Sequence, residues 1–152
     1  MTTDKNVKVL FVNPPSIPIA EVEDSFRDRN VILAPLVMPL GILWLSSYLK
    51  KQVPSTVVHL VDYSFELGMH GTEFSNVDEL LADPLDKVPF EPDVIAFSSM
   101  FSTTHPILEQ AFPIYRARWP QATIIVGGNH ATNASTIFLE NPHVDYVARG
   151  EG

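Results

Sequence analysis

The chain of 152 residues carries 18 acidic against 10 basic side chains, a formal net charge of −8, 13 prolines and no cysteine. Hydrophobic residues make up 45% and charged ones 18%, the balance of an ordinary globular protein. At this length one domain, 1–152, can bury a sufficient core without disulfides or structural metal. The charge argues against nucleic acid as a partner, because binding phosphates needs a basic face. No apolar run approaches the ~20 residues of a membrane span, and Met1 to Lys5 opens no signal peptide, so a cytoplasmic location is expected. The lack of cysteine removes thiol catalysis, cysteine-ligated zinc and a cysteine-bound iron–sulfur cluster from these residues' chemistry.

The first apolar run, Val9-Leu10-Phe11-Val12, predicts a strand, and Asn13-Pro14-Pro15-Ser16 follows it. From there to Met38 no clear periodicity is visible, which predicts a long functional loop or a mobile excursion. Leu40 to Gln52 is the clearest helix, with Pro39 at a tolerated first-turn position and Lys50-Lys51 suiting the C-terminal end of the dipole. Its apolar residues Leu40, Leu43, Trp44, Leu45, Tyr48 and Leu49 cover more than one stripe, so the helix is expected to be well buried. Val57 to Val61 forms the second strand, ending at Asp62. A short helix over Val77–Ala82, capped by Ser75 or Asn76, precedes the breakers Pro84, Pro89 and Pro92. Val94 to Phe97 is the third strand. A helix from about Pro106 to Arg118 follows, kinked or split by Pro113. Ile124-Ile125-Val126 is the fourth strand, Asn133 to Glu140 a last helix stopped by Pro142, and Val144 to Ala148 a fifth strand. Asp145 marks that strand as an edge.

Nearly continuous apolar strands alternating with helices predict a doubly wound α/β sheet, parallel throughout and buried on both faces. The expected order is 2-1-3-4-5, with ligands beyond the carboxyl ends of the strands, at the switch point beside strand one. Asn13-Pro14-Pro15 is no Gly-x-Gly-x-x-Gly phosphate turn. Asp62 could meet a ribose or simply be solvated. Ser98 to Thr104 offer hydroxyls for a ligand or for capping the next helix. Gly127-Gly128 allow close backbone approach, by a ligand or in a turn. Of the five histidines none pair at helical metal-site spacing, and no catalytic triad is identifiable from spacing. His59 reads as a packed strand residue; His130, beside the glycines, stands out.

Six blocks in order carry a family resemblance: VLFVNPP at 9–15, PLGILWLSSYL at 39–49, VHLVDY at 58–63, PDVIAFSSM at 92–100, IIVGGNHAT at 124–132 and VDYVARGEG at 144–152. Together they resemble the N-terminal cobalamin-binding domain of cobalamin-dependent radical S-adenosylmethionine (SAM) enzymes. The resemblance implies a flavodoxin-like (Rossmann-like) sheet with cobalamin at its C-terminal edge. Asn13, Pro14 and Pro15 would shape the surface under the corrin. Ser98, Ser99 and Met100 would lie along the corrin or its nucleotide tail. Gly127 and Gly128 would let the tail pass, His130 would border it, and Gly150 and Glu151 would close the edge. A corrin, broad and fringed with amides, needs an apolar floor and scattered hydrogen-bond partners more than charge.

Two departures from the family pattern have consequences. Mutase-type domains supply a lower cobalt ligand from Asp-x-His-x-x-Gly after strand one, yet no histidine lies between Asn13 and Met38. No histidine ligand from this loop is therefore expected. The radical SAM half, with its Cys-x-x-x-Cys-x-x-Cys motif for a [4Fe–4S] cluster, is also absent. The chain is expected to be an excised module lacking the last helix, inert alone, whose partner would be a C-terminal radical SAM domain of the same parent. SAM and the cluster would belong to that domain. The parent would then be a methyltransferase or a cyclase. Alternatives are a degenerate scaffold of the same fold that binds no cobalamin, and a flavodoxin-like flavin or nucleotide binder.

Overall fold

The computed structural model describes residues 6–28 and 37–150. Five parallel strands, β1 (Lys8–Asn13), β2 (Val57–Asp62), β3 (Val94–Ser98), β4 (Thr123–Gly127) and β5 (Tyr146–Val147), form one sheet in the order β2-β1-β3-β4-β5. The expected sheet and its order are as the sequence implies. β5 is shorter than its apolar run, although Asp145 N–H and Ala148 N–H still donate to the Ile124 and Val126 carbonyls at 3.0 and 2.8 Å.

Strand alternation divides the core. Leu10 and Val12 of β1, Ile95 and Phe97 of β3, and Ile124 and Val126 of β4 face the larger cluster. There they meet α5 (His105–Arg118), α4 (Val77–Ala82), α3 (Tyr63–His70) and Phe138 of α7 (Ser135–Leu139). Val9 and Phe11 point the other way, onto Ile42 and Leu49 of α2 (Leu40–Gln52) and beside Val94 and Ala96.

Several expectations need correction. The segment after Ser16 is not simply loop: α1 (Ile19–Asp28) forms there, burying Val22 and packing Ile19 and Phe26 on the larger cluster. Its stripe at i, i+3 and i+7 is sparse among acidic residues, which hid the period. Residues 29–36 of the predicted loop lie outside the described residues. α2 has the expected bounds but is far from well buried. Only Ile42 is buried, while Leu40, Trp44 and Tyr48 are 60, 76 and 63% exposed. The smaller cluster draws its helical residues from α2 alone, so only the side of α2 on the sheet is covered.

α3 follows β2 with no intervening turn, because Asp62 both ends the strand and caps the helix, accepting from the Ser64 and Phe65 N–H groups. α5 runs through Pro113 without a break. Pro113 is exposed, and Ile107, Leu108, Ala111, Phe112 and Tyr115 hold the opposite face in the core. The helix expected over Asn133–Glu140 is α7, shortened to Ser135–Leu139, and an unexpected short helix, α6 (Asn129–Asn133), precedes it with a break at Ala134. Among the described residues no helix is long and apolar enough to cross a membrane.

Two polar devices tie the layers. Tyr63 and Tyr115 are fully buried with hydroxyls 2.7 Å apart, and Tyr63 donates onward to the Leu81 carbonyl at 2.8 Å. Burial pushes both phenols upward, so they stay neutral donors. At the other end Asp145 accepts from Ile124 N–H at 2.7 Å and from Arg116 at 2.6 Å, while Arg116 also donates to the Ala122 and His143 carbonyls. Burial pushes the Asp145 carboxyl up, but the Ile124 N–H and the Arg116 guanidinium outweigh it and hold it below the ordinary value.

Tyr63→Phe strands both the Leu81 carbonyl and the Tyr115 hydroxyl and should cost about 2 kcal/mol in urea denaturation, whereas Tyr115→Phe leaves Tyr63 its carbonyl and should cost about 1 kcal/mol. For Asp145 the folded value lies below the unfolded one. Its contribution is therefore present above the ordinary aspartate range and is lost as pH falls through the depressed value. Asp145→Asn should accordingly be less stable than the wild type at pH 7, with the gap shrinking towards pH 3; an unchanged gap would contradict this assignment.

Candidate functional site

The carboxyl ends of β1 and β3 are neighbours at the switch point of the strand order: α5, which follows β3, packs on one face of the sheet, and α2, which precedes β2, packs on the other. A cavity of about 290 Å³ lies there. Asn13, Pro14, Pro15 and Ser16 form one wall, Val37 to Ile42 at the start of α2 a second, and Ser98, Met100, Phe101 and Thr104 a third. Among the described residues its lining holds no charged side chain and is mostly apolar. Met38, Leu40, Met100 and Phe101 are all at least half exposed, so the cavity continues into an apolar shelf. Among the described residues the site offers an open apolar surface with scattered hydroxyls and no charged group to hold a phosphate.

The polar side chains of the described lining are few: Asn13, Ser16, Ser64, Ser98 and Thr104. Thr104 Oγ1 donates to the Phe101 carbonyl at 2.8 Å, so no hydroxyl caps α5. Ser16 Oγ is buried without a partner, an orphan on the cavity wall. A hydroxyl in that state costs stability unless something supplies its hydrogen bond.

Of the residues singled out from the sequence, Asn13, Pro14, Pro15, Ser98 and Met100 are brought together in this cavity. Ser99, Gly127, Gly128, His130 and Gly150 form a second group beside it. Ser98 and Ser99 alternate, so Ser98 lines the cavity while Ser99 is fully buried with its hydroxyl unpartnered. Ser99 N–H donates to the Gly127 carbonyl at 2.7 Å, and His130 N–H to the Ser99 carbonyl at 2.9 Å. Gly128 has φ 112°, and a Cβ there would lie 2.6 Å from the Ser99 carbonyl oxygen. The close approach that Gly128 permits is therefore made by the chain's own backbone. Gly150 closes the group, its N–H donating to Thr132 Oγ1 at 3.0 Å. Glu151 lies outside the described residues.

His130 turns away from the cavity lining. Its ring meets His105 and Phe138 edge-on, at 5.5 and 5.4 Å between centroids. Burial first, then the neighbouring His105, lower its affinity for a proton. Its Nε2 and His105 Nδ1 are buried without partners. The two histidines sit 25 positions apart, so local spacing could not pair them. His59 packs edge-on to Phe90 at 6.4 Å, as a strand histidine should. Asp62 caps α3 and accepts from Asn13 Nδ2, so it is more than a solvated strand-end acid. The wall from Val37 to Ile42 was missed as site, although Pro39-Leu40-Gly41 was visible as a motif.

A five-stranded parallel sheet with an apolar cavity at its switch point defines an α/β binding module. Residues 27–152 match the B12 binding domain model, and the chain belongs to that family. Over 157 positions it is also 27% identical to cytidylyl-2-hydroxyethylphosphonate methyltransferase of Streptomyces wedmorensis, an alignment covering 99% of this chain and 27% of the relative. The chain thus spans about a quarter of that protein's length.

Gly128→Ala, forced into positive φ and against the Ser99 backbone, should lose about 3 kcal/mol. Gly127→Ala, whose Cβ would rest 3.5 Å from Ala148 Cβ, should lose under about 1 kcal/mol. Urea denaturation of the two variants side by side checks the contrast.

Proposed function

We propose that this chain is the cobalamin-carrying module of a cobalamin-dependent radical SAM enzyme of the methyltransferase or cyclase type. The observation that carries the cobalamin part is the apolar cavity at the carboxyl ends of β1 and β3, uncharged among the described residues, with the orphaned Ser16 hydroxyl in its wall. These residues fit the group: apolar side chains from Pro14, Pro15, Ile42 and Met100 would support a corrin, and Ser16 and Ser98 would offer hydrogen bonds to its amide fringe. Bound there, cobalamin would supply a cobalt centre able to carry an alkyl group. The chain's own contribution is to seat the corrin, keep water from its covered face and offer no ligating imidazole from the segment between Asn13 and Met38, which contains none.

The methyltransferase side is supported by the related Streptomyces enzyme, and the radical SAM assignment by the six sequence blocks. Under this proposal the SAM and [4Fe–4S] sites belong to a radical SAM domain acting with this one, since no residue here could provide a thiolate. A scaffold that binds no corrin is the competing reading. It draws on Gly128, whose free space is taken by Ser99 rather than left as a slot.

Purified protein mixed with hydroxocobalamin and desalted should keep the corrin's visible bands; loss of those bands selects the scaffold. Histidine-labelled (15N) protein carrying Co(II) cobalamin should show electron paramagnetic resonance without hyperfine splitting from a protein imidazole. A splitting that changes with the label would remove the missing-ligand part of the proposal.

A further inference from the structure

Asn13 and Asp62 are register partners at the carboxyl ends of β1 and β2. Asn13 Nδ2 donates to Asp62 Oδ1 at 3.1 Å. The same oxygen accepts from Ser64 N–H at 3.0 Å and Phe65 N–H at 3.3 Å. Asp62 is therefore held by the first turn of α3 and cannot easily swing away from Asn13. A carboxylate only accepts, whereas a primary amide presents a donor end and an acceptor end. The partner consequently decides which end of Asn13 faces it. With one N–H of the amide given to Asp62, the carbonyl oxygen is the end turned away from that carboxylate. Asn13 lines the cavity and Asp62 does not.

Among the described residues Asn13 is the only amide side chain in that lining, and no charged group competes with it. The Ser16, Ser64 and Ser98 hydroxyls of the lining can rotate to donate or accept, so they discriminate little between ligand groups. The Asn13 oxygen, with its orientation fixed from behind, accepts only.

We propose that Asn13 is a specificity residue of this cavity and Asp62 its positioning residue. Together they present a fixed acceptor that selects a primary amide on the corrin rim and disfavours a carboxylate at the same place. The inference rests on the cobalamin reading above and adds to it a chemical preference that mere seating on an apolar shelf would not produce.

The test compares hydroxocobalamin with its b-, d- and e-monocarboxylate derivatives, each having one rim amide replaced by an acid, by absorbance titration against the folded chain. The wild type should bind one of the three roughly ten-fold more weakly than hydroxocobalamin. Asn13→Ala should weaken hydroxocobalamin about five-fold and lose the discrimination. Asp62→Asn, which lets the Asn13 amide turn either end outward, should narrow the discrimination more than it weakens hydroxocobalamin binding. Circular dichroism melts identify any variant that fails to fold, and the wild-type comparison stands without the variants. Wild-type protein that retains hydroxocobalamin yet treats all three derivatives alike overturns this inference and leaves the cobalamin reading intact. Unchanged discrimination in folded Asn13→Ala overturns it as well. Wild-type protein that retains no corrin overturns the cobalamin reading, and this inference with it.

Discussion

β1 must be covered from both sides, and the rest of the architecture follows from that constraint. Leu10 and Val12 are fully buried on one face, and Val9 and Phe11 almost so on the other. A parallel strand with two apolar faces cannot stand at an edge or face water. It needs strand neighbours on both sides, here β2 and β3, and helices above and below. α2, which precedes β2, covers one face of the sheet, and α5, which follows β3, covers the other. The cavity lies between the ends of β1 and β3 and the start of α2.

The floor and rim of the edge are stiffened by different means. Beneath the cavity, Asp62 gathers three N–H donors on one oxygen and so couples the ends of β1 and β2 to α3. Beside it, Gly128 and Ser99 interlock backbone to backbone, fixing where α6 begins. Farther out, Asp145 and Arg116 pin the short β5 to β4 and α5. Each device works through hydrogen bonds to backbone groups that would otherwise be unpaired. The edge is thus preorganised while its cavity wall, among the described residues, stays uncharged.

Much of this frame was legible because burial on both faces leaves a plain mark: a run such as Val9 to Val12 has no polar residue to break it. The bounds of α2 and α4 were legible too, since Pro39 and Asn76 stand at their starts. α1 was not, as its acidic residues outnumber the three apolar contacts that hold it. α3 was hidden because its cap, Asp62, is also the last residue of a strand. On the site, strand-end residues such as Asn13, Ser98 and Met100 could be placed by topology alone. The wall from Val37 to Ile42 could not, because it returns to β1 only through the packing of Ile42 on Val9 and Phe11. Likewise the inward turn of His130 depends on Phe138, which no local period links to it. The burial of α2 was overestimated for a simple reason. Apolar content sets how much surface a helix can bury, while the number of neighbours sets how much it does.

The two tryptophans stand in contrasting optical surroundings. Trp119 is 7% exposed, lying against Tyr115 at the end of α5 with the Arg118 guanidinium 6.0 Å from its ring. Trp44 is 76% exposed, on α2 one turn from the cavity-lining Leu40, or about 6 Å along the helix axis. One indole therefore emits from a packed interior and the other from water at the threshold of the cavity. A soluble quencher reaches the second and spares the first. The fold has, in effect, a reference lamp and an indicator lamp on the same chain.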